Sequence, residues 1–433
     1  MTNIAFLGAG STIFARNVLG DCLHVPSLRD AHIRLIDIDP ERLHVSQVML
    51  ENINRTLGAN ARIDAYLADD AATALAGADF VINAIQVGGY EPSTVIDFEI
   101  PKKYGLRQTI GDTLGIGGIF RALRTIPVML DYCRIIEEVA PNALLLDYSN
   151  PMAMLTGAIL KATGVRTVGL CHSVQVCATH LCRELDLPDD NLQWRIAGVN
   201  HQGWLLEISR CGEDLYPEIK RRAERPEYKA KDAVRFELMK WFGYYVTESS
   251  EHSAEYVPWF IKRSAPELID RFHIPLDEYP RRCIRQIERW DAMKADLLAD
   301  KPLHHARGHE YASYILDAVL TGTPYTFGGN VLNEGLITNL PAGCCVEVMC
   351  VADRNGITPT YVGDLPVQCA ALTRTNVNVH ELTIEAALTR KKDAIYQAAL
   401  LDPHTAAELT IDQIVSLCDE LIAAHGEYLP TYH

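Results

Sequence analysis

Over roughly its first 200 residues the chain alternates short apolar runs with stretches of helical periodicity, and few folds tolerate that alternation. The runs NIAFLGA, HIRLIDI, RIDAYL, DFVINAI, ALLLDYS and TVGLC are almost continuously apolar, as strands buried on both faces must be. Strands separated by helices return to the same edge of a sheet and pair in parallel, so the expected fold class is α/β. More narrowly, the expectation is a Rossmann-like, doubly wound, mostly parallel sheet. Between the second and third runs, Asp39 and Pro40 supply an N-cap and a first-turn proline for a helix. The stretch GGIFRALRTIPVMLDYCRIIEEVA predicts a long amphipathic helix bent at Pro127.

Past about residue 190 the pattern changes. LQWRIAGVNHQGWLLEISR predicts two strands joined by a turn at Asn200 and His201, and TIDQIVSLCDELIAAHG predicts a late amphipathic helix. A chain of 433 residues exceeds what one hydrophobic core usually organises. Two packed domains are therefore expected: residues 1–195 as a dinucleotide-binding domain, and residues 196–433 as a C-terminal α/β (α+β) substrate and catalytic domain. The charged stretch 216–235 reads either as a mobile lid or as a solvated helix face.

Charge narrows the partners. Lys and Arg number 40 against 56 Asp and Glu, a net charge of −16 that disfavours nucleic acid and anionic membranes. No apolar run approaches the roughly 18 residues of a membrane span. The opening MTNIAFLGAG has neither a basic leader nor a cleavage site, so the twelve cysteines read as reduced thiols of a cytoplasmic protein.

In IAFLGAGST, Gly8 and Gly10, with Ser11, lie between an apolar strand and a helix, where backbone N–H groups can face a pyrophosphate. Ile13 stands where the usual fingerprint has a third glycine, and an ordinary tight turn is the alternative. Asp37 ends the second strand, at the distance where a carboxylate accepts the ribose hydroxyls and repels a 2′-phosphate, which favours NAD over NADP. Asn83 and Gly88, at and after the fourth strand, are placed near the nicotinamide.

Ligands of an open parallel sheet gather beyond the carboxyl ends of its strands. Asn150 of SNP, Cys171 of GLCHS and His201 of GVNHQG all fall at such ends. A thiolate and an imidazole on turns can share a metal and leave positions open for a chelating substrate. Softness alone suggests zinc. Taken one at a time, a cysteine is usually core and a histidine a hydrogen-bonded side chain.

The blocks FLGAGST, GGYEP, GDTLGIGGIFRALRTIP, SNPMAM, GLCHSVQ, AGVNH, TESSEHSAEYVPWF, GNVLNEGLITNLP and DPHTAAELTIDQI together resemble glycoside hydrolase family four. They are most similar to its branch of bacterial α-galactosidases that cleave melibiose, and the similarity spans residues 4 to about 428. The resemblance implies a fold related to lactate and malate dehydrogenases. It also implies hydrolysis by a redox route, with NAD⁺ and a divalent metal, commonly manganese, in place of the usual carboxylate pair. NAD⁺ would take hydride from C3 of the sugar, a base would remove the acidified C2 proton, and the C1 substituent would leave by elimination. Water would then add and the retained NADH would reduce C3 again.

By position in the motifs, Cys171 and His201 would hold the metal, Asn150 would meet the sugar hydroxyls, and Asp112 of GDTLG would belong to a substrate loop. His172 would be the general acid. Tyr256 is the favoured base, provided metal and local cations lower its pKa, with His252 as runner-up. The resemblance also implies a homo-dimer or homo-tetramer. An α-glucosidase or α-uronidase of the same family, an NAD-dependent secondary-alcohol dehydrogenase and a non-catalytic NAD sensor are the alternatives.

Overall fold

The computed structural model describes residues 1–433 except Asp300 and His309. Among the described residues, thirteen strands form one sheet. Six parallel strands make its first part: β1 (Asn3–Leu7), β2 (His32–Asp37), β3 (Arg62–Leu67), β4 (Phe80–Asn83), β5 (Leu144–Asp147) and β6 (Arg166–Gly169). Their spatial order, β3-β2-β1-β4-β5-β6, is that of a dinucleotide-binding sheet, with the switch point between β1 and β4.

The sequence predicts these six strands; it does not predict that the second half continues the same sheet. β7 (Leu192–Val199), β8 (Gln202–Arg210), β9 (Glu213–Asp214), β10 (Tyr245–Val246), β11 (Tyr325–Leu332), β12 (Cys345–Asp353) and β13 (Gly356–Pro359) add antiparallel beyond β6, through the single pair Asn330 with Gly169. One row of facing residues crosses five strands here: Gly169, Asn330, Glu347, Gly198 and Gly203. Asn330 and Glu347 in that row are fully buried.

Local chemistry explains the elements that frame the site. Helix α1 (Thr12–His24) follows the glycine turn, and α2 (Pro40–Thr56) starts where the Asp39 side chain accepts the N–H groups of Glu41 and Arg42 at 2.9 and 3.1 Å. The helix Gly115–Val139 is continuous with Pro127 inside it. Its Ile119 and Leu123 join Val379, Ile384 and Leu417 of C-terminal helices in one apolar cluster, so the second half of the chain covers the first. Residues 216–235 fold into short helices, Tyr216–Ala223 and Pro226–Lys229, and enter a third, Ala233–Phe242. Tyr216, Ile219, Ala223 and Tyr228 are buried in one cluster with the helix His172–Glu184, while Lys220, Arg221, Lys229 and Lys231 face out, which is the solvated-face arrangement; Arg235 turns inward, to buried Asp232 at 2.8 Å.

Candidate active site

Gly8 turns the chain at φ +86°, and a Cβ there would come within 2.7 Å of the Ala84 carbonyl oxygen, so β1 and β4 approach as only glycine permits. At Gly10 a Cβ would meet the Asp37 carboxylate at 2.8 Å. Asp37 accepts Gly10 N–H at 2.6 Å and Asp39 N–H at 2.9 Å, which fastens the end of β2 to the turn. Ser11 precedes α1 and its side chain makes no capping bond, so the first-turn N–H groups are left to a ligand. These residues fit a bound dinucleotide.

At the end of β4, Asn83 is fully buried. It donates to Asp147 Oδ1 and Ser149 Oγ, both at 2.8 Å, so its amide braces the ends of β4 and β5. Gly88, at φ +80°, opens the following turn. Beyond β5, Asn150 Nδ2 donates to Asp112 Oδ2 at 3.2 Å, and Thr113 donates to the other oxygen of Asp112 at 2.8 Å. The two residues expected at the sugar are therefore neighbours, although 38 positions separate them in the chain.

The metal candidates come together as well. Cys171 ends the loop after β6, His201 sits at the tip of the β7–β8 hairpin with φ +62°, and Glu248 lies after β10. One ligand atom from each of the three lies within 4.8 Å of the other two. Sulfur, imidazole nitrogen and carboxylate oxygen suit a divalent transition metal, and bonds of roughly 2.0–2.3 Å need only a small inward shift from that spacing. His201 Nε2 is 3.4 Å from Glu248, while its Nδ1 is 3.0 Å from the Tyr256 hydroxyl. A metal-ligating histidine normally has its other ring nitrogen held in this way. His252 packs edge-on against His201, with ring centroids 4.8 Å apart, and lies 3.8 Å from Asp112.

Charge follows geometry. Burial pushes the Cys171 thiol far up, and the carboxylates of Glu347 and Glu248 add to the effect, an environment that a cation would reverse. Burial alone would raise Glu248, yet His201 and His252 bring it down to about 2, so it is an anion ready to ligate. Burial holds His252 below its usual value despite Glu248. For Tyr256 the expected local cations are not what it meets. Burial, then Asp112 and Glu255, push its hydroxyl well above 10.

His172 stands apart from this cluster, half-exposed among the rings of Phe14, Tyr148 and Tyr311, with centroids 5.9–6.3 Å away. Its Nε2 is 2.6 Å from Glu310, which lifts it above its usual pKa against the effect of burial. Phe14 belongs to the first turn of α1, so this aromatic box adjoins the glycine turn.

Residues 3–187 match the model of family 4 glycosyl hydrolases, and residues 196–405 match the family's C-terminal domain. The chain belongs to glycosyl hydrolase family 4. Within family 4 it is 61% identical to an alpha-galactosidase of Bacillus subtilis (strain 168), over the whole of both chains. It is 36% identical to an alpha-galactosidase of Rhizobium meliloti (strain 1021), over 99% of this chain and 89% of that one. A 6-phospho-alpha-glucosidase from gut microorganisms, solved in complex with NAD and Mn2+, superposes with TM-score 0.81 at 21% identity, covering both chains fully.

Sequence reasoning missed Glu248, Glu310, Glu347 and Glu255. Three of them leave a trace: Glu347 is a lone acid in the apolar run CCVEVMCVA, and Glu248 and Glu255 flank His252 in TESSEHSAEY. Glu310 leaves none, because only the fold brings it to His172.

Proposed function

We propose that this family 4 enzyme hydrolyses terminal α-galactosides such as melibiose, using NAD⁺ and Mn²⁺. The observation that carries the reading is the 61% identity with the Bacillus alpha-galactosidase over every residue of both chains. Bound NAD⁺ supplies a hydride acceptor for C3 of the sugar, and a bound divalent cation supplies Lewis acidity at the C2 and C3 oxygens. Gly8, Gly10, Ser11 and Asp37 would hold the nucleotide, with Asn83 bracing the strand ends beneath it. Cys171, His201 and Glu248 would hold the cation.

The chain's own groups divide the remaining work. Asn150 and Asp112 bind sugar hydroxyls from one side. His172, whose pKa Glu310 raises against the effect of burial, hands a proton to the departing glycosidic oxygen, as a general acid with a raised pKa should. Tyr256, or His252 beside it, takes the C2 proton; for Tyr256 the base role requires the cation to offset the carboxylates around it. Residues 1–195 would hold the nucleotide and also bring Asp112, Asn150, Cys171 and His172 to the site, while residues 196–433 would add His201, Glu248 and the base. A cytoplasmic location is proposed from the twelve cysteines, all of them free thiols. No helix among the described residues is long and apolar enough to cross a membrane. The assembly proposed is a homo-dimer or homo-tetramer, which light scattering reads directly.

The test is incubation with an aryl α-galactoside in deuterated water with NAD⁺, Mn²⁺ and a thiol reductant. Deuterium at C2 of the released galactose is expected. Release of galactose without C2 label, or net accumulation of NADH, overturns the reading.

A further inference from the structure

We propose that Glu255 is a positioning residue whose carboxylate clamps the loop Thr109–Thr113 and so presents Asp112 to the sugar. Glu255 ends the short helix Ser250–Glu255 and is 3% exposed. Three consecutive backbone N–H groups converge on it: Thr109 donates to Oε2 at 2.8 Å, while Ile110 and Gly111 donate to Oε1 at 3.3 and 2.8 Å. Successive N–H groups turned to one side form a nest for an anion, and here the anion is a side chain of the protein itself. Gly111, at φ +57°, makes the turn. A second tether runs from Thr109 Oγ1 to the Glu251 carbonyl at 2.7 Å, so two residues of one helix grip one loop residue.

The next residue along the chain gives the clamp its consequence. Tyr256, adjoining Glu255, meets His201 of the metal cluster, while Glu255 meets the loop that carries Asp112. Sugar-binding loop and metal ligand therefore hang from one short stretch of chain. Burying a carboxylate costs free energy, and burial does raise Glu255 to about 7 although hydrogen bonds from Gly111 and Thr109 oppose the rise. A core position filled by an apolar side chain would avoid that cost but would leave three buried N–H groups without an acceptor.

The role of Asp112 rests on the glycosidase reading, so the experiment has one arm that does not. In Glu255→Gln the volume is kept, but an NH₂ group faces N–H donors where an oxygen stood. Amide hydrogen exchange at Thr109, Ile110 and Gly111 is expected to be slow in the unmodified enzyme and at least about tenfold faster in the variant. For an aryl α-galactoside, KM is expected to rise by about tenfold, with kcat changed less and with NAD⁺ and Mn²⁺ affinities within about twofold. Glu255→Asp, one methylene shorter and still an anion, takes the place of the glutamine variant if that does not fold, with the same expectations. Fast exchange of the three amides in the unmodified enzyme, or unchanged exchange in the variant, overturns the clamp whether or not the chain cleaves galactosides. Parallel loss of sugar, NAD⁺ and Mn²⁺ binding also overturns it, because that is the mark of general unfolding. A freed loop with unchanged KM removes Asp112 from sugar binding and overturns the positioning role.

Discussion

At the scale of single residues the site is a matter of which buried charge has company. Cys171, His201 and Glu248 supply three different donors to one point, and Cys171→Ser removes the softest of them. That variant is expected to abolish Mn²⁺-dependent turnover while the far-ultraviolet circular dichroism and melting temperature stay close to wild type. Retained activity with bound metal would remove the thiol from the site. Glu347 poses the opposite case: it is fully buried, its Oε1 accepts from Asn330 and Asn200 at 3.0 and 3.4 Å, and its Oε2 has no hydrogen-bond partner. Burial raises it from the ordinary 4.5 to about 7. A carboxyl whose folded pKa is raised favours the fold fully below 4.5 and loses that contribution as pH climbs through 7. Glu347→Gln, with its nitrogen at the unpartnered position, is therefore expected to leave the metal-free chain nearly unchanged at about pH 4. At about pH 8 it is expected to stabilise that chain by on the order of 3 kcal/mol. Thermal melts in a chelator at the two values decide it, and equal shifts at both would show that ionisation at this position is not the cost.

At the scale of elements, the turn between β1 and α1 joins sequence to function most directly. The glycines of IAFLGAGST are legible because each answers a steric demand: Gly8 faces the Ala84 carbonyl and Gly10 faces the Asp37 carboxylate. Gly10→Ala is expected to drive Asp37 off the turn and weaken NADH binding by about tenfold or more, measured by fluorescence titration, with smaller effect on Mn²⁺ affinity. Unchanged NADH affinity would detach Asp37 from the nucleotide. Asn83 shows the limit of such reading. Its place at a strand end is visible in the sequence, but its pairing with Asp147 and Ser149 depends on which strand lies beside β4. The segment 216–235 shows the same limit: its charge is visible, whereas the buried face of Tyr216, Ile219 and Tyr228 appears only against its neighbours.

For the whole molecule, one sheet and one large apolar cluster run from β1 through β12, including Ile4, Phe6, Trp204, Val346 and Val348. Thermal unfolding of the intact chain is accordingly expected to be a single calorimetric transition. Residues 1–195 expressed alone would leave β6 as an open edge and expose Ile119 and Leu123, and aggregation is expected. A soluble, NAD-binding fragment with a cooperative melt would show that the N-terminal half folds without the C-terminal strands.

The parallel first half, the glycine turn with its acid, and the thiol and imidazole at strand ends are legible along the chain alone, because each is a local matter of periodicity, backbone sterics or position after a strand. It took the folded chain to show that the later strands extend the same sheet, that Glu248 comes within 4.8 Å of Cys171 and His201, and that Glu310 and Glu255 stand behind His172 and the loop of Asp112. Glu310 and Glu255 lie 138 and 146 positions along the chain from His172 and Thr109. A carboxylate takes its role from the groups burial places around it, and no spacing along the chain encodes that.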